Sequence, residues 1–474
     1  MCAGRARADT PASPLRTNDY ALEFYQGPLI APIRVTGFAG AYTAIAEGVE
    51  GAASNAAAPA VREPFSHHWF DYDLSAALSF PGAFARTDFD NRGTVSSTSS
   101  TRFGQFLYLN LGAQAQLGSF GTSATVDLQQ FTVAPSDGGS PLQVQLARWH
   151  LLAGYGVFGD QLVLGFGLRA LSLRISTQEN LVAEGNIVTG GLFTMAGLAP
   201  EAGVLYRPDN QPWRIGATVR APVTARKLGA GNTTTDPDGV VRAGDLVLPE
   251  KAILPWEVEL GVAVQAGPRP LNPPWINPHT QEQPVRDAID RARAEREAAN
   301  ADAVARAPAA ERPSVAAEIL RREAHIREVE DARLEAERAR LLAVRKARYA
   351  NWPREKILFV ASVLATGVTE DAVAVEGFLD HRDERVGRRI TLMPRAGIES
   401  EPIVGWLRMR GGSYVEPSRF ESGTARQHFT AGADVKLFPF DAWGIFAPTI
   451  WRASFAIDLA PRYANWGFGI GAWH

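Results

Sequence analysis

The sequence predicts an all-β protein: an antiparallel transmembrane β-barrel of about 14 strands, with an N-terminal plug and an inserted periplasmic α-helical hairpin. Two observations lead to this fold class. From His67 to His474, about fourteen stretches of roughly eight to fifteen residues alternate apolar and polar side chains, as membrane-spanning strands do. The connections between these stretches alternate between tight turns and long loops rich in Ser, Thr, Gly, Asp and Pro. Outer-membrane barrels have short periplasmic turns and long outward loops.

The connections also distinguish the two ends of the barrel. If the last strand, about Tyr463 to Trp473, ends in the periplasm, the tight turns are periplasmic and the long loops face outward. The same parity places the charged insert, Pro268 to Pro353, in the periplasm. The tight turns are predicted at Gly118–Ser119, Phe158–Asp160, Arg207–Gln211 and Ser400–Pro402, and the long loops at Pro81–Arg102, Ile175–Gly197, Pro222–Pro255 and Ser413–Arg426.

Composition is consistent with one large domain that crosses a membrane with strands. Of the 474 residues, 46% are hydrophobic, which is too many for a disordered chain. The longest uncharged run, Phe103 to Val126, contains four glycines and several polar side chains, so it does not read as a membrane helix. A net charge of -3 gives no basic footprint, so nucleic acid is not expected as a partner. The single cysteine, Cys2, excludes a disulfide within the chain.

Two strands show the alternation most clearly. Along Trp256–Ala266, apolar residues alternate with Glu257, Glu259 and small or polar residues, and Gln427–Leu437 repeats this pattern with Asp434 and Lys436. A charged side chain facing lipid near the midplane costs about 2 to 4 kcal/mol. We therefore predict that these four charged side chains face the lumen.

A soluble β-sandwich would show the same alternation, with its polar residues outside. The strand length, the two classes of loop and the aromatic residues near strand ends favour the membrane barrel instead. These strand-end aromatics are Trp149, Trp213, Trp256, Trp406, Trp451, Trp466 and Trp473.

We divide the chain into five segments. Residues 1–18 are interpreted as a residual leader and disordered N-terminus, 19–64 as the plug, 65–266 as barrel strands 1–8, 267–353 as the helical insert, and 354–474 as strands 9–14. Ala6-Arg7-Ala8 has the small-x-small form of a signal cleavage site, so we hypothesise that the true start lies upstream. A chance match in an Ala-rich chain is the alternative.

The insert is predicted to form two helices, Gln283–Ala307 and Ser314–Tyr349, because it is dominated by Ala, Glu and Arg. Ser314 could cap the second helix by accepting a backbone hydrogen bond. Oppositely charged residues recur three and four positions apart, as in Glu318/Arg322 and Glu337/Arg340. Two interpretations remain open: a solvated hairpin that packs on itself, or an arm that binds a periplasmic protein through residues 281–349.

Two local motifs have ordinary structural explanations. Gly154 to Gly159 matches the dinucleotide pattern G-x-G-x-x-G, but a strand rather than a helix is predicted after it, which favours a barrel turn. His67, His68, Asp71 and Asp73 have side chains that can bind a metal ion, but a polar face beside Trp69 and Phe70 at a membrane rim explains them better, and we favour that interpretation. No catalytic sequence motif is found, so we expect no enzyme activity, no catalytic residues, no metal and no cofactor.

Several stretches resemble the FadL/TodX-type family of long-chain fatty-acid transporters from Gram-negative outer membranes. These are Gly37–Pro59 (GFAGAYTAIAEGVEGAASNAAAP), Gly197–Val223, Leu248–Gln265 and the end of the chain. The family's Asn-Pro-Ala-Gly stretch after the hatch appears here only as Asn55-Ala56-Ala57-Ala58-Pro59. The insert has no counterpart in the family pattern.

The resemblance implies a 14-stranded barrel whose N-terminal hatch closes the lumen, and a function in the uptake of hydrophobic small molecules such as long-chain fatty acids. Gly37 and Gly40 are then expected in the hatch along the ligand path, and Asn55 and Pro59 where the chain leaves it. The expected location is the Gram-negative outer membrane, and the expected partners are membrane lipid and a hydrophobic ligand. The alternative is a non-transporting anchor that binds periplasmic or secreted proteins through the insert.

Overall fold

The computed structural model describes residues 13–24, 29–81, 88–93, 101–133, 142–176, 193–230, 233–243, 246–379, 381–421, 423–440 and 449–473. The hypothesis of an upstream start concerns residues 1–8, which lie outside these ranges. In chain order the strands are β1 (Ala21–Glu23), β2 (Phe70–Ser79), β3 (Thr101–Leu117), β4 (Phe120–Val133), β5 (Leu142–Val157), β6 (Leu162–Ser176), β7 (Phe193–Tyr206), β8 (Trp213–Arg220), β9 (Val223–Ala230), β10 (Thr233–Thr235), β11 (Val241–Ala243), β12 (Leu246–Val247), β13 (Lys251–Leu254), β14 (Glu257–Ala266), β15 (Ile357–Thr366), β16 (Ala372–Ala374), β17 (Arg385–Val386), β18 (Thr391–Ile403), β19 (Leu407–Glu416), β20 (Arg426–Phe440), β21 (Thr449–Ala460) and β22 (Tyr463–Ala472). The helices are α1 (Ile33–Gly37), α2 (Pro278–Arg306), α3 (Arg312–Ala350) and α4 (Val375–Leu379), with 3-10 turns at Val49–Ala53 and Ala58–Ala60.

Fourteen of these strands form a closed antiparallel barrel, as the alternating pattern predicts. The order around the ring is β2 to β8, then β14 and β15, then β18 to β22. The ring closes where the first and last strands meet: Leu78 of β2 lies opposite Leu109 of β3 on one side and Phe468 of β22 on the other. Because the ring is closed, every barrel strand has a partner on both sides and the barrel has no free edge.

The period-two pattern separates the two faces of the wall. On β14, Leu260 is 60% exposed, whereas the residue before it, Glu259, is buried. On β20, Phe429 is 63% exposed and Asp434 is fully buried. An outward apolar surface over a polar interior is the arrangement that a lipid-embedded barrel requires.

The connections fall at two ends as expected, with one turn misplaced. The turns at 118–119, 158–161 and 207–212 share an end with the insert that joins β14 to β15. The prediction of a turn at Ser400–Pro402 is wrong, because these residues belong to β18 and the turn follows at 404–406. The strand pairing shifts register between Ser400 and Ile403, and this irregularity extends the strand beyond its apparent end in the sequence.

The N-terminal segment enters the barrel from the loop end. Residues 13–18 are held in place, in contrast to the disorder expected for 1–18: the Leu15 amide donates to the His381 carbonyl at 2.8 Å. The Asn18 side chain donates to the carbonyls of Val241 and Leu248, both at 2.8 Å. From residue 29 to residue 66 the chain lies in the lumen as the plug, and most of its residues are buried.

Strand β1 lies between β13 and β16 and runs parallel to both. Only residues 221–222 separate β8 from β9, and only residues 255–256 separate β13 from β14. The wall strands β8 and β14 thus continue beyond the barrel as β9 and β13, which pair with each other there. Leu22, Phe193 and Phe378 are fully buried in a large apolar core around this small sheet. This apolar core, which we call the outer cap, closes the loop end of the barrel.

The insert forms the helical hairpin that its composition predicts. The Asn277 side chain caps α2 by accepting from the His279 amide at 3.0 Å. The 39 residues of α3 correspond to a length of about 58 Å. In the described part of the chain, no helix is both long enough and apolar enough to span a membrane.

Two details of the hairpin differ from expectation. Ser314 does not cap α3, because the helix already begins at Arg312 and the Ser314 hydroxyl donates to the Glu311 carbonyl at 2.7 Å. The Glu337–Arg340 pair forms at 2.6 Å as predicted. Other carboxylates of α3 pair across the hairpin instead: Glu330 binds Arg293 at 2.7 Å, which ties α3 to α2.

Candidate functional site

The plug rests directly on a row of glycines in the barrel wall. Gly121, Gly154, Gly165 and Gly203 lie opposite one another on four consecutive strands, β4 to β7. A Cβ atom added to Gly165 would lie 2.0 Å from the Ala56 carbonyl oxygen. Only a residue without a side chain fits there, so the plug backbone packs against the wall backbone at this row.

Similar close contacts occur elsewhere around the wall. A Cβ on Gly216 of β8 would lie 2.1 Å from the Thr43 carbonyl oxygen, and one on Gly397 of β18 would lie 2.8 Å from that of Phe38. The wall therefore holds the plug from several sides at backbone distance.

Asn55 and Pro59 lie where the plug meets the glycine row. The Asn55 side chain donates to the Thr43 carbonyl at 2.9 Å and to the Val204 carbonyl at 3.1 Å, and it accepts from the Ala57 amide at 3.0 Å. The Pro59 carbonyl accepts from the Gln116 side chain at 2.9 Å. Asn55 thus joins two parts of the plug to the wall.

Gly37 and Gly40 lie at the end of α1 against the other side of the wall. The Gly37 carbonyl accepts from Thr430 at 3.2 Å. The Gly40 backbone has a φ of +79°, which glycine adopts without strain, and its carbonyl accepts from Arg395 at 3.3 Å. Both residues are buried contacts of the plug, and Gly40 also lines the internal cavity described below.

Glu257 and Glu259 face inward on β14, and both bind arginines. Glu257 pairs with Arg169 at 2.9 Å and with Arg220 at 3.5 Å. Glu259 accepts from Ser362 at 2.7 Å and pairs with Arg395 at 3.2 Å. Arginine forms such charge-assisted bonds with well-defined geometry, so these carboxylates are fixed in place.

Asp434 belongs to a second charge cluster. It binds Arg410 through two pairs of atoms and Arg452 at 3.0 Å, and Arg452 also binds Glu50 of the plug. Lys436 lies two residues further on the same strand, half-buried, opposite Arg452 in the register. Pairing with β21 becomes irregular from Lys436 onward.

Glu47 connects the plug to the wall in the same way. Its carboxylate pairs with Arg214 of β8 at 2.7 Å and with Arg34 of α1 at 3.6 Å. Burial alone would raise the pKa of Glu47, but Arg214 and then Arg34 outweigh it and bring this pKa to about 2. The carboxylate is therefore charged at neutral pH and holds the plug through ion pairs.

The sequence interpretation missed the arginines that pair with these carboxylates. Arg408 and Arg410 alternate with Leu407 and Met409 on β19, so the pattern that identified the acidic residues also marked these basic ones. What the pattern could not show is which carboxylate each arginine binds.

An internal cavity of about 130 Å³ lies between the plug and the wall. Part of its lining is apolar: Phe24, Leu29, Ile30, Leu254, Leu364 and Met393. Another part is charged or polar: Asp127, Arg148, His150, Arg169, Arg220, Glu257, Glu259 and Arg395. Phe24 and Leu254 also belong to the outer cap, so the cavity borders that apolar core.

The other two motifs have structural roles. Gly154 and Gly156 lie within β5 and Gly159 lies in the turn to β6, with a φ of +68°. Asp71 accepts from Arg62 and Asp73 accepts from the Val49 amide at 2.9 Å. No group of three or more His, Cys, Asp or Glu that could hold a metal ion occurs among the described residues.

Comparison with known proteins gives similarity in structure only. No family model and no curated protein matches the chain. Among solved structures, the chain is similar to the toluene transporter TodX of P. putida, with a TM-score of 0.46, 11% identity, and coverage of 94% of this chain and 98% of that one. It is also similar to the CymD monoaromatic hydrocarbon channel, with a TM-score of 0.45, 9% identity, and coverage of 94% and 96%.

A third neighbour, CdiB from Acinetobacter baumannii, has a TM-score of 0.34 and 7% identity, and its alignment covers 85% of this chain and 60% of that one. The closed ring of strands and its outward apolar surface make this chain an outer-membrane β-barrel of Gram-negative type, with its lumen occupied by an N-terminal plug.

Proposed function

We propose that the barrel takes up small hydrophobic molecules through the outer membrane. The observation that carries this proposal is the cavity between plug and wall, which has an apolar side beside the outer cap and a charged side toward β14. An engineered protein cavity of about 150 Å³ holds one benzene molecule, and the present cavity of about 130 Å³ is similar in size. Binding such a ring removes apolar surface from water and is favourable.

The charged side of the cavity favours hydrophobic molecules that carry one polar or acidic group. Arg169, Arg220 and Arg395 line it, and each is already bound to a carboxylate of β14. A ligand carboxylate that reached them would compete with Glu257 or Glu259 for the same donors. Because Glu257 and Glu259 can displace the ligand carboxylate from these arginines again, we expect the ligand to be bound only briefly.

Long-chain fatty acids are included in this proposal because the sequence resembles fatty-acid transporters. Their acyl chains exceed the cavity as it stands, so they require displacement of apolar side chains of the outer cap, such as Phe24. We therefore expect single-ring compounds to enter with less rearrangement than long acyl chains.

Uptake measurements test the proposal. Cells that lack the gene should accumulate labelled toluene and labelled oleate several-fold more slowly than cells carrying it. Leu254→Trp fills the cavity and should reproduce the deletion, whereas Leu260→Trp on the lipid-facing side of β14 should behave as the wild type. Equal uptake by deletion and wild-type cells would contradict the proposal.

The helical hairpin supports a second candidate function, a non-transporting anchor for periplasmic or secreted proteins. About 58 Å of largely exposed α3 is more than the strand connection needs. If the protein is such an anchor, a photo-crosslinker at Arg321 should trap one defined protein, and deletion of the gene should leave the uptake of both labelled compounds unchanged. If deletion slows uptake and no protein is crosslinked, the anchor function is excluded.

A further inference from the structure

The end of α3 and the linker to β15 carry an unbroken run of positive charge. We call residues 338–354 the hairpin foot. Between Glu337 and Glu355 the sequence contains no acidic residue and six basic ones: Arg338, Arg340, Arg345, Lys346, Arg348 and Arg354. Elsewhere in the described hairpin, acidic and basic residues are interspersed, whereas the charged residues of the foot are all basic.

The foot lies against the rim of the barrel. The Arg345 guanidinium donates to the His67 carbonyl at 3.1 Å, and the Tyr349 ring meets the His67 ring edge-on at 5.6 Å. His67 lies only three residues before Phe70, the first residue of β2. These contacts fix the end of α3 at the rim from which the barrel strands enter the membrane.

The chain from the foot enters the lipid-facing wall within a few residues. Ile357 is the first residue of β15, and its side chain is 42% exposed on the barrel exterior. Arg354 precedes it by three residues, and three extended residues span at most about 11 Å. Arg354 therefore lies at the depth of the lipid headgroups.

Three cations of the foot remain on the surface. Lys346 and Arg348 are exposed, and Arg348 lies over the Trp352 ring at 5.6 Å. Arg354 lies over the Tyr349 ring at 4.7 Å. Tryptophan and tyrosine concentrate at membrane interfaces, where arginine and lysine reach the headgroups.

The remaining cations of the foot have protein partners. Arg338 binds Glu282 at 2.9 Å and Arg340 binds Glu337 at 2.6 Å. At His67, burial and then neighbouring His68, Lys346 and Arg345 lower the pKa of the imidazole to about 4. Lys346, Arg348 and Arg354 are therefore the cations of the foot that an anion meets at the rim.

We propose that Lys346, Arg348 and Arg354 bind the phosphates of anionic glycerophospholipids in the membrane leaflet at the hairpin end of the barrel. The charge of the surface selects an anion, and the depth of Arg354 beside the lipid-facing Ile357 selects a lipid. Each basic residue near an anionic membrane surface raises affinity roughly five-fold. This inference rests on the outer-membrane location and is independent of what the barrel transports.

Lipid binding by purified full-length protein tests the proposal. We would measure retention of phosphatidylglycerol and of phosphatidylcholine by native mass spectrometry, in wild type and in the triple variant K346Q/R348Q/R354Q. The matched control R306Q/R321Q/R327Q removes three exposed arginines elsewhere on the hairpin and changes the net charge equally.

Wild type and control should retain phosphatidylglycerol over phosphatidylcholine, and the foot variant should bind phosphatidylglycerol on the order of 100-fold more weakly. Added salt should reduce the wild-type preference. Equal retention of the two lipids by wild type, or equal losses in the foot and control variants, would overturn the proposal. Toluene uptake by the foot variant, measured in parallel, should stay at the wild-type rate, which separates this test from that of transport.

Discussion

Arg410 on β19 and Asp434 on β20 form a buried two-point salt bridge, with Arg410 Nη1 2.9 Å from Asp434 Oδ1. Asp434 also accepts from Arg452, which in turn binds Glu50 of the plug. One wall carboxylate thus supports two arginines and, through one of them, the plug. Removing a partner from such a buried group leaves charge uncompensated.

We predict that Asp434→Asn destabilises the folded barrel by about 3 to 5 kcal/mol, because Arg410 and Arg452 lose their shared negative partner. We would measure the denaturant concentration at the unfolding midpoint in detergent, with tryptophan fluorescence as the signal for unfolding. Asp302→Asn is the control, since the Asp302–Arg306 pair is exposed and such pairs contribute about 0 to 1 kcal/mol. Equal midpoints for the two variants would show that the cluster does not stabilise the fold.

The glycine row gives a second prediction, for plug seating. Gly165→Ala places a Cβ against the Ala56 carbonyl, and overpacking of this kind costs about 1 to 3 kcal/mol. We expect the plug to loosen and the barrel to admit hydrophilic solutes, measured as a several-fold rise in single-channel conductance. Gly411→Ala is the matched control, because its Cβ would meet only one atom, at 3.7 Å. Unchanged conductance in both variants would refute the seating role.

Glu63 of the plug gives a pH prediction. Burial, followed by nearby Glu47, raises the pKa of its carboxyl to about 8 from an ordinary value of 4.5. The folded state therefore binds more protons than the unfolded state between these two values, and stability falls as pH rises through that window. In Glu63→Gln this loss should disappear. Unfolding midpoints at pH 5, 7 and 9 test it: the variant should gain most over wild type at pH 9, and parallel profiles would contradict the assignment.

The hairpin should be dispensable for folding of the barrel. Ala266 of β14 already lies opposite Ile357 of β15, and the Asn272 side chain binds Arg214 at 2.6 Å before the hairpin begins. Replacing residues 278–350 by a short Gly-Ser linker keeps both features. We expect heat-modifiable migration in gel electrophoresis and an unfolding midpoint close to wild type. Failure of this variant to form a heat-modifiable species would show that the hairpin is part of the folding unit.

The barrel could be predicted from the sequence because its pattern is local. Alternation along β14 and β20 identifies the outward face residue by residue, and the lipid environment enforces it strongly. The turn after β18 was misplaced for the opposite reason: the shift of register between Ser400 and Ile403 depends on the neighbouring strand, which no local pattern reveals.

The site was less predictable because it depends on pairs that are distant in sequence. The inward position of Asp434 follows from alternation, but its partners Arg410 and Arg452 are fixed only when three strands are in register. The glycine row has the same origin: Gly121 and Gly203 look like ordinary strand glycines until the plug is placed against them. A search for glycines at matching inward positions of consecutive strands would have found it.

The position of β1 constrains the order in which the molecule assembles. This strand lies between β13 and β16, which are separated in the chain by the whole hairpin and by two wall strands, β14 and β15. The N-terminus, although made first, therefore reaches its final place only after chain on both sides of the hairpin has arrived. The outer cap is therefore completed by strands that come from both sides of the hairpin in the chain.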